Sequence, residues 1–382
     1  MFKKLTKMDM NNADPFDRNK PYNQLPLLPP PDEVIDNEIL LRWGYAGRAL
    51  AQLNRNILRL PNPNMLVNTI TLQEAQSSSA IENIFTTEDE LYKAVSDSVK
   101  EEDASPNTKE VLRYREALWT GYYDIQEKGK VDQDSIIKVY QQVKNTRQGI
   151  RSPQSQVVIK MGQSELRPGE VIFTPPRGKG VIESKMGNLI HYLNDHETYP
   201  TDPLLKMAIA HYQFEVIHPF SDGNGRAGRI LNLLYLVNQG LLSHPVLYLS
   251  KYIIENKDNY YYNLGAVTQR KSWKNWILFM LKAVEQTSNH TNQIIDEIID
   301  QMKATLEYAR EELRWYNKEI NEVLFTQPYI KPGIIGDISG KTSRTTLTKY
   351  MSDLTRLAIL TPKKDGKEVY YMNTDLVRIL EG

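Results

Sequence analysis

The chain has 382 residues, of which 40% are hydrophobic and 25% charged, so it is long enough for two or three packed domains. Its 47 basic residues balance its 47 acidic ones, which excludes an argument from net charge for a nucleic-acid or anionic-membrane partner. The absence of cysteine excludes disulfides, thiolate nucleophiles and cysteine zinc sites, and it fits the cytoplasmic location that we expect. No secretory signal and no run of apolar residues long enough to span a bilayer is found, so no membrane partner is expected.

The N-terminal part of the chain is expected to form an arm followed by helices. Residues 1–35 are polar and then proline-rich, and they predict an extended arm on the surface or on the first helices. Residues 36–108 predict a helical region, because apolar residues recur at three- and four-residue steps after Asp36. A second helix is predicted over about residues 68–83 and a third over Thr87–Val99, followed by a solvated link of sequence EEDASPNT.

The remainder is expected to hold a helical core, a connector and a small terminal domain. Residues 109–290 form the predicted core, interrupted by a β-hairpin over residues 156–175, where two short β-branched runs flank a polar turn. An amphipathic connector helix is predicted over 291–317, and residues 318–382 form a separate α+β unit. Further helices are predicted over Lys109–Lys128, Gln133–Val143, Glu183–Asn194, Asp202–Val216, Gly225–Asn238, Lys257–Thr268 and Trp273–Glu285.

The stretch HPFSDGNGRAGR, residues 218–229, concentrates polar chemistry at a helix start. Proline disfavours helical backbone at the residue before it, so His218 is predicted to leave a helix and enter a loop. The apolar period that starts near Gly225 predicts a new helix there, whose free amides and dipole favour an anion. Arg226 and Arg229 lie three residues apart on its first turns, so both can reach one polyanion.

The residue types in this stretch predict a phosphate site with a base beside it. Asp222 is a hard oxygen ligand suited to Mg²⁺ next to phosphates, and His218 can accept a proton near neutral pH. A histidine before proline, a GNG turn and an RxxR face each occur widely as structural features alone. Their conjunction favours function, and the missing lysine after the second glycine excludes a Walker A loop.

This stretch resembles the signature of the Fic (filamentation induced by cAMP) family, HPFx(D/E)GNGRxxR, and matches it at every fixed position. The resemblance extends to LPNPNMLVNTITLQEAQSSSAIENI, similar to the N-terminal region of members with their own inhibitory helix, and to the hairpin at 156–175. It implies a mainly α fold: an all-helical Fic core with a β-hairpin flap, an N-terminal helical region and a small C-terminal winged-helix domain.

The resemblance implies transfer of AMP from ATP, with Mg²⁺, to a tyrosine, threonine or serine hydroxyl of a target protein. His218 would deprotonate the hydroxyl, Asp222 would hold Mg²⁺, and Phe220 would be buried under the loop. Gly223, Asn224 and Gly225 would cradle the phosphates, with Arg226 at the β- and Arg229 at the γ-phosphate. The segment YLSKYIIENKDNYYYNL resembles the part of the family that lines the nucleotide site, with Tyr260 and Tyr261 as its candidates. UMP or GMP transfer and removal of AMP stay open.

The sequence SSAIEN, residues 78–83, matches the inhibitory pattern (S/T)xxxE(G/N) through Ser78, Glu82 and Asn83. On a helix, Ser78 and Glu82 share one face, and the small residues around them allow close approach to another backbone. The resemblance implies that Glu82 competes with the γ-phosphate for Arg229, which makes the enzyme autoinhibited. The alternative interpretation is a surface glutamate without a partner.

The hairpin and the terminal unit predict partners. A hairpin edge can add a target strand by backbone pairing, and the residues expected to do so are Val157, Val158, Ile159, Val171, Ile172 and Phe173. The C-terminal pattern of a helix, a strand, an Asp-Gly turn and a strand resembles a winged helix, with Leu347, Tyr350, Met351 and Leu354 facing inward. A protein-contact role is preferred there, and DNA binding is the alternative. Self-modification and a homodimer are further expectations.

Overall fold

The computed structural model describes residues 16–30, 34–60, 63–95, 104–160, 169–340, 343–365 and 368–381. Within them the chain is mainly helical with two small sheets, which confirms the predicted fold class. The helices are α1 (Asn37–Asn56), α2 (Pro63–Ile81), α3 (Glu88–Val95), α4 (Pro106–Lys128), α5 (Gln133–Lys144), α6 (Val181–Asn194), α7 (Pro203–Ile217), α8 (Asn224–Asn238), α9 (Leu249–Glu255), α10 (Lys257–Arg270), α11 (Trp273–Glu312), α12 (Lys318–Leu324), α13 (Pro332–Ser339), α14 (Arg344–Arg356) and α15 (Thr374–Glu381). The strands are β1 (Ile159–Lys160), β2 (Val171–Phe173), β3 (Tyr329–Ile330), β4 (Thr361–Asp365) and β5 (Glu368–Met372).

Side-chain caps set the starts of several helices. Helix α1 begins after Asp36, whose carboxylate accepts the amide of Ile39 at 3.0 Å, which confirms the predicted start. Helix α4 begins three residues before the predicted Lys109, because Ser105 caps it and Pro106 occupies the first helical position. The last residues of the predicted solvated link therefore belong to this helix.

The centre of the core consists of α7 and α8, the two helices that flank the motif. Nearly every residue of both helices is buried, which identifies them as core helices surrounded by others rather than amphipathic surface helices. Helices α4 and α5 pack against α8, whereas α1, α6 and α11 pack against α7. Among the described residues, no helix combines the length and the apolarity that crossing a bilayer requires.

Helix α11 is one continuous helix of 40 residues, although two were predicted, over Trp273–Glu285 and from Thr291. The intervening residues contain neither glycine nor proline, and the small polar side chains of Thr287 and Ser288 are buried. The Thr287 hydroxyl bonds back to the Ala283 carbonyl at 2.7 Å, and Thr291 to Thr287 at 2.9 Å. The predicted boundary between core and connector at residues 290 and 291 thus falls inside a helix.

The described part of the arm lies on the flap and α6, not on the first helices as one alternative had it. The Tyr22 amide donates to the Thr174 carbonyl at 3.0 Å, just beyond β2. Lys185 on α6 donates to the Leu25 carbonyl at 2.7 Å, and Leu25 itself is buried. Residues 1–15 and 31–33 of the predicted arm lie outside the described residues.

The predicted hairpin is present but short. Strands β1 and β2 are antiparallel, with Ile159 opposite Phe173 and Lys160 opposite Val171. Val157 and Val158 precede the first strand rather than lying within it, and the turn at 161–168 is outside the described residues. All six predicted flap residues keep part of their surface open to solvent.

The C-terminal unit has the element order helix, strand, two helices, two strands and a final helix, with sheet order β3-β5-β4. On α14, Met351 and Leu354 are buried as predicted, whereas Leu347 and Tyr350 are half-buried. The unit contacts the N-terminal helices directly. Gln73 on α2 donates to the Leu380 carbonyl at 2.8 Å, and Asp89 on α3 accepts the Tyr329 hydroxyl at 2.5 Å.

We predict that replacing two glycines that lie within helices by alanine changes the free energy of unfolding in opposite directions. A Cβ at Gly121 on α4 would lie 2.4 Å from Leu234 Cδ1 and 2.9 Å from Val139 Cγ2, so the packing of three helices must shift. A Cβ at Gly187 on α6 would meet nothing within 4 Å. In denaturant unfolding, Gly121→Ala should lose about 1–2 kcal/mol, whereas Gly187→Ala should gain up to about 1 kcal/mol of helix propensity. Equal effects of the two substitutions would contradict this packing.

Candidate functional site

The motif loop begins where α7 ends. His218 caps that helix in the left-handed conformation (φ 50°, ψ 60°), and its amide donates to the Phe214 carbonyl at 2.9 Å. Pro219 follows, which prevents helical continuation, so the predicted exit of His218 into a loop is confirmed. The left-handed turn directs the chain towards the start of α8 within a few residues.

Phe220 and Asn224 hold the loop in shape. Phe220 is fully buried, and its ring stacks on Tyr140 with 3.9 Å between centroids. The Asn224 side chain accepts the Phe220 amide at 2.8 Å and donates to the Phe220 carbonyl at 2.9 Å. The predicted burial of Phe220 is therefore present. The predicted phosphate role of Asn224 is restricted to its backbone amide, because its side chain closes the loop.

The start of α8 has the features of an anion site. Gly223 takes a left-handed conformation (φ 74°) before it, and Ala227 makes the first intrahelical bond, to the Gly223 carbonyl at 3.0 Å. The amides between them precede the regular ladder and point out of the helix end. A Cβ at Gly225 would lie 2.3 Å from Glu82 Oε1, so only glycine admits a carboxylate oxygen this close.

Arg229 is the most buried charge of the site. Its side chain is 1% exposed, and Glu82 Oε1 accepts from its Nη2 at 2.9 Å. Ser78 supplies two more acceptors, its hydroxyl to Nε at 2.7 Å and its carbonyl to Nη2 at 2.9 Å. The structure thus brings the predicted Ser78, Glu82 and Arg229 together, and it excludes a glutamate without a partner.

The segment that carries Glu82 ends differently from the prediction. Helix α2 runs from Pro63 to Ile81, so Glu82 and Asn83 lie in the turn that follows it. Asn83 has a left-handed backbone (φ 61°), and its side chain accepts from Lys257 at 3.3 Å. The Glu82 amide still bonds to the Ser79 carbonyl at 3.0 Å, which keeps Glu82 on the face of Ser78.

Two further carboxyl groups lie near Arg229 and were not predicted. Burial raises the pKa of Glu74 to about 7, against the opposing effect of its hydrogen bonds from Ser250 and Tyr114. Burial also raises the pKa of Glu215 to about 7, with Arg229 acting in the opposite direction. Burial therefore favours the neutral form of both carboxyl groups, whereas Arg229 favours their ionised form.

The remaining charges of the motif also have internal partners. Arg226 is buried, and its Nη1 donates to Glu110 on α4 at 2.6 Å. Asp222 is 68% exposed at the rim, and Lys144 lies 2.7 Å from it. No sequence signal marks Lys144 or Glu110, because each reaches the motif from a different helix. Lys144 holds the pKa of Asp222 below its usual value, although burial opposes that shift.

The residues present fit a magnesium ion that takes most of its ligands from phosphates and water. Asp222 offers an accessible carboxylate at the rim of the anion site. Among the described residues, no group of three or more acidic, histidine or cysteine side chains could enclose a metal by itself. Mg²⁺ in nucleotide sites is typically held by one or two carboxylates together with substrate oxygens, which matches this arrangement.

His218 is half-buried and its environment favours the neutral ring. Burial is the main cause that lowers its pKa to about 4, and Arg151 lowers it further, whereas the Glu215 carbonyl, Glu82 and Asp222 oppose the shift. Nδ1 lies 3.3 Å from the Glu215 carbonyl, which assigns the ring proton to Nδ1. Nε2 is then the basic atom, able to accept a proton at neutral pH.

The two tyrosines predicted to line the nucleotide site, Tyr260 and Tyr261, differ in their exposure to solvent. Tyr260 is fully buried, with its hydroxyl 2.8 Å from His211 Nε2 and its ring 5.5 Å from Trp276, so it is a core residue and cannot line an open pocket. Tyr261 is 41% exposed, and the charges of Glu82 and Arg229 act on its hydroxyl. Adjacent helical residues point in different directions, which explains why only one of the pair remains a candidate.

We predict that the His218 imidazole titrates well below its ordinary value. Because its protonated form would lose hydration, the NMR titration midpoint of the folded protein should lie near pH 4 rather than at the ordinary histidine value of 6.5. The signal is assigned by its absence from the His218→Ala variant. In concentrated urea the midpoint should return to the ordinary range. A midpoint in the ordinary range for the folded protein would contradict the burial of this ring.

Comparisons with known proteins cover most of the chain. Residues 40–123 match the family model Fic/DOC family N-terminal, and residues 107–236 match Fic/DOC family. Residues 300–376 match Protein adenylyltransferase SoFic-like, C-terminal domain. A Fic family protein from Desulfovibrio desulfuricans has a similar structure, with a TM-score of 0.55 and 19% identity, covering 90% of this chain and 98% of that one.

Sequence relatives match over shorter stretches. Protein adenylyltransferase fic-1 of Caenorhabditis briggsae is 37% identical over 92 residues, which is 24% of this chain and 17% of the relative. A probable protein adenylyltransferase of Aquifex aeolicus is 42% identical over 81 residues, 21% of this chain and 24% of the relative. The matched stretch thus spans less than a quarter of each relative. With the motif complete and the N-terminal, central and C-terminal models all matched, the chain belongs to the Fic family.

Proposed function

We propose that the protein is an autoinhibited protein adenylyltransferase that transfers AMP from ATP to a hydroxyl of a target protein. The observation that carries this proposal is the buried Arg229, held by Glu82 at 2.9 Å beside the start of α8. A buried guanidinium at an anion site, occupied by a carboxylate from another segment, is what competition with a phosphate requires. The names of the matched relatives support the same reaction.

The proposed reaction follows from the free Nε2 of His218. A tyrosine, threonine or serine hydroxyl gives its proton to Nε2 while its oxygen attacks the α-phosphorus of ATP. The bond from that phosphorus to the bridging oxygen breaks, and pyrophosphate leaves. AMP stays on the target, and His218 later releases the proton to solvent. UMP or GMP transfer and removal of AMP by the same site are alternatives.

The rest of the loop acts by position and charge. The first amides of α8 and the space at Gly223 and Gly225 hold the phosphates, with Arg226 at the β- and Arg229 at the γ-phosphate. Mg²⁺, when bound, neutralises charge between the α- and β-phosphates, and Asp222 would hold it. Lys144 and Glu110 must then give up their present partners, or share them with the nucleotide.

The flap is proposed to position the target by strand addition. The arm already pairs with the chain just beyond β2, through the Tyr22 amide and the Thr174 carbonyl. Arg18 adds an ion pair to Glu170 at 2.5 Å on the same side. The arm thus contacts the chain next to β2, so the edge of β1 is the better candidate for pairing with an incoming target strand. Self-modification would use the same edge.

The C-terminal unit is proposed to be a winged helix that contacts proteins. Its element order supports that fold, and its contacts to α2 and α3 place one face against the core. DNA binding is the second candidate. The exposed face of α14 supports it, because Arg344, Thr345, Thr348 and Lys349 lie there without a carboxylate. Lys363, on β4, pairs with Asp89 on α3 and is therefore not among these residues.

A homodimer also stays a proposal. The exposed hydrophobic side chains of α1, Leu40, Leu41 and Tyr45, support an interface on that face.

We predict that His218→Ala binds Mg-ATP with nearly normal affinity but transfers no detectable label from ATP to itself or to lysate proteins. The phosphates contact the loop and arginines, whereas His218 acts on the target hydroxyl. The matched control is His191→Ala, since His191 is 59% exposed on α6, away from the motif. Labelling at the wild-type rate by His218→Ala would contradict the assignment of His218 as the general base.

We predict that Glu82→Gly raises self-labelling by about tenfold or more, which corresponds to about 1.4 kcal/mol of changed competition at Arg229. Adding Arg229→Ala should cancel the gain. The loss of thermal stability should be small, because Ser78 keeps two bonds to Arg229 and Glu215 lies near it. Glu197→Gly, in an exposed turn, is the control. If Glu82→Gly and wild type label equally at the same ATP and Mg²⁺ concentrations, the segment that carries Glu82 does not inhibit the enzyme.

A further inference from the structure

The segment between α5 and β1 contains a buried arginine that the motif does not include. Arg151 is 6% exposed. Among the described residues, no carboxylate lies within ion-pair distance of it, and burial lowers its pKa, with Arg177 adding to the shift. Moving a guanidinium from water without a counter-ion is costly, so its hydrogen bonds must compensate for that cost.

Among the described residues, every hydrogen-bond partner of Arg151 is a backbone carbonyl from one of two segments. Nε donates to His218 at 2.8 Å, and Nη2 donates to Ile217 at 3.4 Å and to Pro176 at 2.5 Å. Its own amide donates to the Pro219 carbonyl at 2.9 Å. Two acceptors, on His218 and Pro219, lie on the motif loop, a third belongs to the last residue of α7, and the fourth follows β2 at the end of the flap.

These hydrogen bonds fix the backbone at His218, the proposed catalytic base. The left-handed conformation of His218 is unfavourable for a residue with a side chain, so an outside contact must help to hold it. Arg151 binds the carbonyls on both sides of that strained residue. It also precedes β1 in sequence, while Pro176 follows β2, so the same side chain joins both ends of the flap to the loop.

We propose that Arg151 is a positioning residue that sets the place of the His218 imidazole relative to a target strand on the flap. The proposal rests on the function proposed above and adds a residue that acts through others, without touching the nucleotide or the hydroxyl itself. Arginine is required because its planar fork donates in several fixed directions at once. Lysine offers one nitrogen, which cannot reach the loop and the flap in the same geometry.

The test compares Arg151→Lys and Arg151→Gln with Arg147→Lys, all in the Glu82→Gly background. Arg147 is an exposed arginine of the same segment and serves as the matched control. Calorimetry measures the Kd of Mg-ATP, and single-turnover labelling at saturating ATP measures self-modification. We expect the Kd to stay within about twofold and the rate to fall about 100-fold in both Arg151 variants, the effect of a misplacement of about 1 Å. Arg147→Lys should change neither.

An NMR titration of His218 separates this proposal from the proposed function. If Glu82→Gly transfers no AMP, the function fails, but the titration still tests Arg151. Loss of the Arg151 side chain should let water reach the His218 ring and move the midpoint of its titration from about pH 4 towards pH 6.5. The titration uses these substitutions with Glu82 intact, so the other groups that face His218, namely Glu82, Glu215 and Asp222, are the same in the Arg151 variants and in Arg147→Lys.

Three results would overturn the proposal. The first is a His218 midpoint and a labelling rate that both stay unchanged in the Arg151 variants. The second is an ATP affinity that falls in step with the rate, which would place Arg151 in the nucleotide site. The third is failure of both variants to fold, as judged by circular dichroism with Mg-ATP present, which would assign Arg151 to the fold alone.

Discussion

The site depends on one buried positive charge. The side chain of Arg229 is 1% exposed, and a guanidinium in that position must have acceptors at all times. Without nucleotide, Ser78 and Glu82 supply them from the end of α2 and the turn after it. The proposed γ-phosphate would supply them instead, on the same face of α8. In the proposed function two occupants compete for one cation, so the electrostatic requirement that stabilises this site would also inhibit it.

The same pattern extends to the other charges of the motif. Asp222 pairs with Lys144 and Arg226 pairs with Glu110, so each group expected to meet Mg-ATP already has an internal counter-charge. These partners come from α5 and α4, and Glu82 comes from the turn after α2. A ligand that arrives must replace several contacts, and its net affinity is the difference between the new contacts and the old ones. Among these three cations, Arg229 has the least exposed side chain, at 1% against 3% for Arg226 and 25% for Lys144.

The sequence was informative where chemistry is local. Rules that act over a few residues predicted that the chain leaves α7 at His218-Pro219, that α8 starts soon after, and that Phe220 is buried. The structure has all three features. Its errors have tertiary causes. Buried threonines carry α11 through the predicted break, and the turn after α2, rather than the helix itself, contains Glu82. Lys144, Glu110 and Arg151 reach the motif from distant segments, so no spacing in the sequence marks them.

The central claim is that Glu82 and the γ-phosphate exclude each other at Arg229. The most direct measurement is the Kd of Mg-ATP and of Mg-ADP for wild type and Glu82→Gln, by calorimetry under identical conditions. Glutamine fills nearly the same space without the charge, and ADP lacks the phosphate that Arg229 would bind. The account predicts that Glu82→Gln tightens ATP about tenfold more than it tightens ADP, a difference of about 1.4 kcal/mol. Equal changes for the two nucleotides, or none for ATP, would contradict it.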